Sequence, residues 1–288
     1  MQHVYTFESL GEFLTAVDVP KPHNVASDTA WSHYYTDWCG GTREEAFDKA
    51  RNGWSEGRAN MVEAMAKARP AVSLPPAFTM DVAGAYPDPA AAAAGAPDCM
   101  VSFDPVEARH KPIVRIAVNV WASSAYEPHE FTNYGAAVLS YVDAIEGAGF
   151  RVELTMLCHC KMDSGRNNGH TYSGRVILKR AEEPVDIDRL TYCLTHPSML
   201  RRLWFTHMQV APEAAGFMPG CGYPRNPEPG NLEPGQLVTP GINVIKPGHA
   251  ALKSPKAAAV YVSGMMEAVL SEAGVDMPKL AFGGEGAK

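Results

Sequence analysis

Two cysteines and two histidines near the middle of the chain are residue types that bind zinc. They occur as Cys158-His159-Cys160, with His170 ten residues further on. Zinc prefers thiolate and imidazole ligands, but the usual zinc knuckle has two residues between its cysteines. Neighbouring strand residues point to opposite faces of a sheet, so Cys158 and Cys160 share a face and His159 lies on the other. The pattern favours two core thiols and an exposed histidine, with a metal-dependent enzyme using Cys158, Cys160 and His170 as the alternative.

Residues that could act as nucleophiles lack the neighbours that would activate them. Cys193 and His196 lie three residues apart on a predicted helix, but the sequence identifies no third group to orient them. Ser123 and Ser124 follow a predicted strand, as some hydrolase nucleophiles do, yet the Gly-x-Ser-x-Gly elbow is missing. The sequence also contains no phosphate-binding loop and no dinucleotide fingerprint. It therefore favours a protein without catalytic activity.

Arg201, Arg202 and Trp204 lie together on a predicted helix. Arginine and tryptophan are common hot-spot residues of protein interfaces, so these residues predict a contact surface. The alternative is that Trp204 belongs to the core, while the two arginines cap a helix or pair with the excess of acidic residues.

The composition is that of a globular protein with an acidic balance. The chain has 288 residues, 46% hydrophobic and 20% charged, and a formal net charge of −7. This charge argues against a nucleic-acid-binding surface, which needs clustered Lys and Arg. No apolar run approaches the roughly 18 residues of a membrane-spanning helix, and the first residues lack the pattern of a secretion signal. Six irregularly spaced cysteines are typical of reduced thiols, so we expect a cytoplasmic location.

A strand–helix–strand unit is predicted between residues 113 and 158. Residues 113–121 are almost continuously apolar and β-branched, as expected of a strand that is covered on both faces. Residues 133–148 have apolar side chains at the spacing of one helical face, and residues 150–158 predict the second strand. A unit of this length forms a right-handed crossover between parallel strands.

The remaining segments predict helices, one further strand and long loops around this unit. An aromatic-rich connection covers residues 20–41, and a Pro/Gly-rich loop with one short strand near residues 242–245 covers residues 211–256. Residues 80–110 are rich in Pro, Gly and Ala and predict a lid or linker, or a loop that borders a ligand site. The other predicted elements are a helix over residues 7–16 capped by Ser9, helices capped by Thr42, Asp186 and Ser254, a helix break at Pro197, and a strand over residues 173–179.

These elements predict a three-layer, doubly wound α/β fold with a mainly parallel sheet and an N-terminal helical extension. Residues 1–110 form that extension, packed on the core. Residues 111–210 form the core, and residues 211–288 form the Pro/Gly-rich loop and a C-terminal helix that complete it.

Residues 113–157 combine a buried strand, a loop with serines, a helix and a second strand. This order resembles the opening of a von Willebrand factor A (vWA-like) domain, in which an Asp-x-Ser-x-Ser loop binds a divalent cation through oxygen ligands. Asn119, Trp121 and Ser123 occupy the corresponding positions here. The resemblance therefore implies a Rossmann-like scaffold with a degenerate metal-ion-dependent adhesion site that binds Mg²⁺ weakly or not at all.

Four further motifs are distributed over residues 1–210. With them the chain resembles uncharacterised bacteriophage-encoded proteins of about this size. That resemblance implies a phage-encoded protein of the host cytoplasm, or a component of the virion. The motifs are Phe7-Glu-Ser-Leu, Gly53-Trp-Ser-Glu-Gly57, the segment from Asp81-Val-Ala-Gly-Ala to Pro97-Asp-Cys-Met, and His196-Pro-Ser-Met-Leu-Arg-Arg-Leu203.

Together these observations favour a non-catalytic, vWA-like module that binds another protein. We expect its contact surface in the loops at the carboxyl ends of the parallel strands, where open α/β sheets place their ligands. The vWA resemblance suggests a MoxR-type ATPase or another phage or host protein as partner, and no cofactor, with Mg²⁺ or Zn²⁺ as alternatives. The alternative functions are the Cys/His metalloenzyme and a structural or accessory virion protein. The candidate contact residues are Asn119, Trp121, Ser123, Ser124, Tyr126, His129, Arg201 and Arg202.

Overall fold

A mainly parallel β-sheet forms the centre of the molecule. The computed structural model describes residues 1–23, 29–58, 62, 78–84, 86–103, 113–147, 150–162, 169–211, 222–224, 232, 235–239 and 241–272. The strands are β1 (Gln2–Phe7), β2 (Phe78–Asp81), β3 (Tyr86–Pro87), β4 (Met100–Phe103), β5 (Ile113–Asn119), β6 (Arg151–Met162), β7 (Thr171–Lys179), β8 (Gly222–Pro224) and β9 (Gln236–Thr239). The helices are α1 (Leu10–Val17), α2 (Thr36–Cys39), α3 (Arg43–Asn52), α4 (Pro89–Ala93), α5 (Pro128–Gly147), α6 (Ile187–Thr195), α7 (Phe205–Val210) and α8 (Pro255–Glu272). A π-helix spans Met199–Trp204, and 3₁₀ turns span His33–Tyr35, Ile242–Val244 and Ala250–Leu252.

Five strands lie side by side in the main sheet, in the order β1-β7-β6-β5-β9. β1 is parallel to β7, and β5 is parallel to both β6 and β9, whereas β6 and β7 are antiparallel. β8 adds a short antiparallel pairing to β6, and β2, β4 and β3 form a separate antiparallel sheet. Helices flank the main sheet. The predicted three-layer, doubly wound α/β class with a mainly parallel sheet is therefore confirmed.

The predicted strand–helix–strand unit is β5, α5 and β6. β5 and β6 pair in parallel from Ile113 with Arg151 to Asn119 with Leu157, as the crossover requires. The helix begins five residues before the predicted start at residue 133. Its first turn is stabilised by Glu130, whose carboxylate accepts a hydrogen bond from the Glu127 amide at 2.8 Å.

Both faces of the sheet are buried at its centre. On one face, Ile116, Met156 and Cys158 belong to the hydrophobic core that the helices complete. On the other face, Ala117 and Leu157 are also buried. Burial on both faces explains why the sequence of β5 is almost continuously apolar instead of alternating.

Two glycines allow the helices to approach this core closely. A Cβ atom at Gly135 of α5 would overlap the Thr195 side chain, and one at Gly174 of β7 would overlap the Trp204 ring. Trp204 itself is buried, so the alternative prediction that it belongs to the core is confirmed. The two positions lack a side chain because a neighbouring helix occupies the space.

The ends of the chain contribute more to the sheet than predicted. The sequence predicts a helix from residue 7, whereas Gln2–Phe7 is the edge strand β1 and the helix, capped by Ser9, begins at Leu10. The prediction of a strand near residues 242–245 is wrong. Ile242 and Ile245 are both buried, and the Ile245 amide donates to the Ile242 carbonyl at 3.0 Å, as in a 3₁₀ turn. The strand of this region is β9 instead.

Several predicted helix boundaries are confirmed by their capping contacts. Thr42 and Glu45 form a reciprocal capping box at the start of α3. The Asp186 side chain accepts a hydrogen bond from the Arg189 amide, and α6 ends before Pro197. Ser254 accepts a hydrogen bond from the Ala257 amide at 3.2 Å at the start of α8.

Candidate functional site

The carboxyl end of β5 lies where the strand order of the sheet reverses. The chain leaves β5 towards β6 on one side, while β9 pairs with the other side of the same strand. In open α/β sheets, ligands bind at such switch points. Most of the predicted contact residues follow β5 and lie at this edge.

Asn119 cross-links the carboxyl ends of β5 and β6. Its side-chain oxygen accepts hydrogen bonds from the amides of Trp121 and His159, each at 3.2 Å, and its side-chain nitrogen donates to the His159 carbonyl at 3.5 Å. The residue is buried. The sequence predicts Asn119 as a contact residue through the resemblance to the vWA aspartate, whereas its amide group forms hydrogen bonds inside the protein.

Trp121 and Tyr126 also face inwards, contrary to the predicted contact role of both residues. The Trp121 ring lies 5.6 Å from that of Phe205, and its carbonyl accepts a hydrogen bond from the Asn243 side chain. The Tyr126 hydroxyl lies within hydrogen-bond distance of the Ile242 and Ile245 carbonyls, and burial raises its pKa to about 12. These contacts fasten the loop after β5 to the turn after β9.

Ser123, Ser124 and His129 are exposed, and their contact role stays a prediction. The Ser123 hydroxyl accepts a hydrogen bond from the Ala125 amide at 3.3 Å. The Ser124 carbonyl accepts one from the indole nitrogen of Trp38 at 3.2 Å, and this contact joins the loop to a segment more than 80 residues earlier in the chain. His129 lies in the first turn of α5.

Arg201 connects these two segments from inside the protein. The side chain is only 1% exposed, and its guanidinium donates to the Trp38 carbonyl at 2.5 Å and to the Tyr126 carbonyl at 3.1 Å. It also lies 4.0 Å from the centre of the Trp38 ring and 5.2 Å from that of Phe131, in cation–π contact. Burial lowers its pKa to about 10, which still leaves Arg201 charged at neutral pH.

Arg202 fixes the same early segment at three further points. It donates to the carbonyls of Thr29 and Ser32, each at 2.7 Å, and to that of Gly41 at 3.0 Å. Like Arg201, it is 1% exposed. The predicted contact surface at Arg201 and Arg202 is therefore corrected: both side chains are internal anchors, whose buried charges are stabilised by hydrogen bonds to backbone carbonyl groups.

The segment that these arginines hold displays aromatic side chains to solvent. Tyr34 is 95% exposed and Tyr35 is 52% exposed, and Trp38 is partly exposed beside Ser124. The segment ends in a turn at Gly40, which has a backbone φ of 78°. Gly40 also packs against Pro197. We call residues 33–38 and 123–129 together the aromatic platform. The sequence predicts only an aromatic-rich connection here, although the density of aromatic residues was a usable signal.

The candidate zinc ligands lie in different environments. Cys158 and Cys160 are both buried on the helix-covered face, as predicted, and burial raises the pKa of each thiol. The prediction that His159 is exposed is wrong, since it is only 3% exposed. His170 lies beside His3, with 3.3 Å between their ring nitrogens. Among the described residues, no three His, Cys, Asp or Glu side chains come together as a metal site requires.

Cys193 and His196 do not form the pair that a cysteine nucleophile needs. Cys193 is buried, and burial raises its pKa to about 12. His196 instead contacts Ser198, with 2.8 Å between Nδ1 and the hydroxyl oxygen, and Ser198 in turn contacts the Tyr192 hydroxyl at 3.1 Å. Tyr192, His196 and Ser198 are all buried, so their hydrogen bonds stabilise the junction between α6 and the π-helix.

A protein-family model matches the chain over nearly its whole length. A family model described as Domain of unknown function (DUF7192) matches residues 2–268. The chain belongs to the DUF7192 family. The DUF7192 match includes both edge strands of the main sheet and most of α8. Searches of curated proteins and of solved structures gave no match. Within the part of the chain that the structure describes, no helix is long and apolar enough to cross a membrane.

Proposed function

We propose that this protein is a non-catalytic module that binds another protein through the aromatic platform. The observation that carries the proposal is the exposure of Tyr34 and Tyr35, 95% and 52%, on a segment fixed by two buried arginines. Tyrosine and tryptophan provide large contact areas with few rotatable bonds, and both are enriched at the centres of protein interfaces. A protein partner would remove these rings from water.

The anchoring of the platform supports this proposal. Binding is weakened when flexible segments must be ordered, so a surface that is already rigid loses less free energy on association. Arg201 and Arg202 together donate five hydrogen bonds to backbone carbonyls of the platform and its flanking residues. The exposed rings are therefore presented on a backbone that is held in place before a partner arrives.

The burial of the candidate cysteine nucleophiles and metal ligands also favours binding over catalysis. Cys158, Cys160 and Cys193 are enclosed in the core, and burial raises the pKa of all three thiols. A raised pKa keeps a thiol protonated at neutral pH, and the protonated form is a poor nucleophile and metal ligand. This favours the module over the Cys/His enzyme as the first hypothesis.

The vWA-like class remains part of the proposal. Ser123 and Ser124 are the exposed remainder of the degenerate adhesion site, and both belong to the aromatic platform. A phage origin, a cytoplasmic location and a MoxR-type ATPase as partner likewise remain predictions. So does the alternative of a virion component.

The proposal is tested by replacing the exposed rings and recording which proteins bind. We would immobilise the wild-type chain, the double variant Tyr34→Ala/Tyr35→Ala and the control Tyr86→Ala, and identify proteins retained from a lysate of the producing cells. Tyr86 is a tyrosine of similar exposure, 47%, outside the platform. We expect one protein to be retained by the wild type and the control and lost by the double variant.

Cross-linking then shows whether the platform itself touches that protein. A photoreactive phenylalanine analogue at position 34 should cross-link to the retained protein, and the same analogue at position 86 should not. Retention of the same proteins by all three chains, with no cross-link from position 34, would contradict the proposed function.

A further inference from the structure

Three polar side chains lie together on the sheet face opposite the helices that carry the hydrophobic core. His159 of β6 and Ser173 of β7 are direct cross-strand partners. Arg175, two residues further along β7, lies on the same face and pairs with Leu157. Side chains at such directly opposite and diagonal positions of an antiparallel pair are within reach of one another. The three side chains therefore form a cluster on two neighbouring strands.

Each member of this cluster has a buried polar atom with no hydrogen-bond partner among the residues that the structure describes. These atoms are Nδ1 of His159, the hydroxyl oxygen of Ser173 and Nε of Arg175. His159 is 3% exposed and Ser173 1% exposed. Buried polar groups in folded proteins are nearly always hydrogen-bonded, and an exception calls for an explanation such as a bound ion or water. Three such atoms at adjoining positions could all contact one ligand.

The charges around the cluster determine the kind of ligand. Among the described residues, no carboxylate pairs with Arg175, although the chain has an excess of acidic residues. Glu153, which lies on the same face of β6, pairs with Arg115 at 3.4 Å. Burial and the positive charge of Arg175 both lower the pKa of His159, to about 4. The cluster therefore carries a positive charge for which the described part of the chain supplies no counterion.

We propose that His159, Ser173 and Arg175 form a binding site for a tetrahedral oxyanion of the phosphate or sulfate type. Arginine can only donate hydrogen bonds, whereas the serine hydroxyl and a histidine N–H can each donate one. Guanidinium groups favour oxyanions, and a positive charge would repel a metal ion. A guanidinium group alone can bind both oxygens of a carboxylate. A tetrahedral anion has additional oxygens, which the donors of His159 and Ser173 would bind.

The site is separate from the aromatic platform, so its test does not depend on the proposed function. We would measure binding of inorganic phosphate and of sulfate by calorimetry at constant ionic strength, using the 288-residue chain. The variants are Arg175→Gln, which removes the charge but keeps donor groups, and Ser173→Ala, which removes one donor. The matched control is Arg115→Gln, since Arg115 lies on the same face and already has an acidic partner.

The expected result is saturable binding by the wild type with a dissociation constant on the order of 1 mM or below. Arg175→Gln should weaken binding at least tenfold and Ser173→Ala about threefold, while Arg115→Gln should bind as the wild type does. Absence of saturable binding by the wild type, or equal binding by Arg175→Gln and the wild type, overturns the proposal.

A second measurement on the wild type keeps the test decisive if a variant fails to fold. Phosphate should shift the ring-nitrogen NMR signals of His159. Those of His207, which is buried and hydrogen-bonded to Tyr172 at 2.6 Å, should stay unchanged. Equal shifts of the two histidines would indicate a general salt effect and would also overturn the proposal.

Discussion

The guanidinium carbon of Arg201 lies 4.0 Å from the centre of the Trp38 ring, and the same group donates a hydrogen bond to the Trp38 carbonyl. Arg201 thus binds one residue by its ring and by its backbone. A second hydrogen bond to the Tyr126 carbonyl joins the early aromatic segment to the loop after β5. Removal of this one side chain should therefore loosen two segments that are distant in sequence.

Arg201→Met should lower the free energy of unfolding by roughly 2–4 kcal/mol, because the buried Tyr126 carbonyl and the partly buried Trp38 carbonyl lose their donor. The measurement is urea unfolding at neutral pH, with tryptophan fluorescence as the probe. The control is Arg189→Met, which removes an exposed arginine paired with Asp186 at 3.6 Å. That change should cost less than about 1 kcal/mol, since exposed ion pairs contribute little. Equal losses in both variants would contradict the anchoring role of Arg201.

Asn119→Asp should destabilise the protein without creating a functional cation site. The new carboxylate can still accept from the Trp121 and His159 amides, but it faces the His159 carbonyl with a negative charge in a buried position. We expect a loss of about 1–3 kcal/mol, and no recovery of the melting temperature in millimolar Mg²⁺. A melting temperature that Mg²⁺ raises in the variant but not in the wild type would show that the loop retains a cation-binding geometry.

Two glycines of α5 should respond differently to substitution by alanine. Gly135→Ala should destabilise the protein by about 1–3 kcal/mol, because its Cβ atom would overlap Thr195. Gly147→Ala meets no atom within 4 Å and should be neutral or stabilising by up to about 1 kcal/mol, since alanine favours helices. Thermal unfolding of the two variants measures the difference. A stabilising effect at Gly135 would mean that α5 and α6 pack less closely than described.

The protein should lose stability in mild acid through its buried histidines. Burial lowers the pKa of His207 to about 4, below the value of about 6.5 in an unfolded chain, so the unfolded state binds a proton first as the pH falls. The contribution of neutral His207 is complete above pH 6.5 and is lost towards pH 4, about 2 kcal/mol of it between pH 7 and 5. His207→Gln should remove that share of the pH dependence, measured as urea unfolding at both pH values. An unchanged difference would contradict the lowered pKa.

The sequence predicts well the parts of the fold whose side-chain pattern is local. The strand–helix–strand unit follows from a continuous apolar run, one helical periodicity and a second strand, and the structure places all three close to the predicted bounds. Helix caps such as Thr42 and Asp186 depend on neighbours three residues away, so they can be read from the sequence.

The candidate site depends on contacts that the sequence does not encode locally. Arg202 looks like a surface residue because its carbonyl partners at Thr29, Ser32 and Gly41 lie at least 160 residues earlier. The three apolar positions of β5 that face the helices are evident in the sequence, but the inward direction of Trp121 depends on Phe205 and Asn243. The sequence therefore predicts surface positions for Arg202 and Trp121, whereas tertiary packing places both side chains in the interior.

The two outermost strands of the main sheet come from opposite ends of the chain. β1 covers the open side of β7, and β9 covers that of β5. A shortened chain limited to residues 111–210 would keep β5, β6 and β7 but expose the hydrogen-bonding groups on both borders. Uncovered strand borders recruit other chains, so such a fragment should self-associate instead of folding as a monomer.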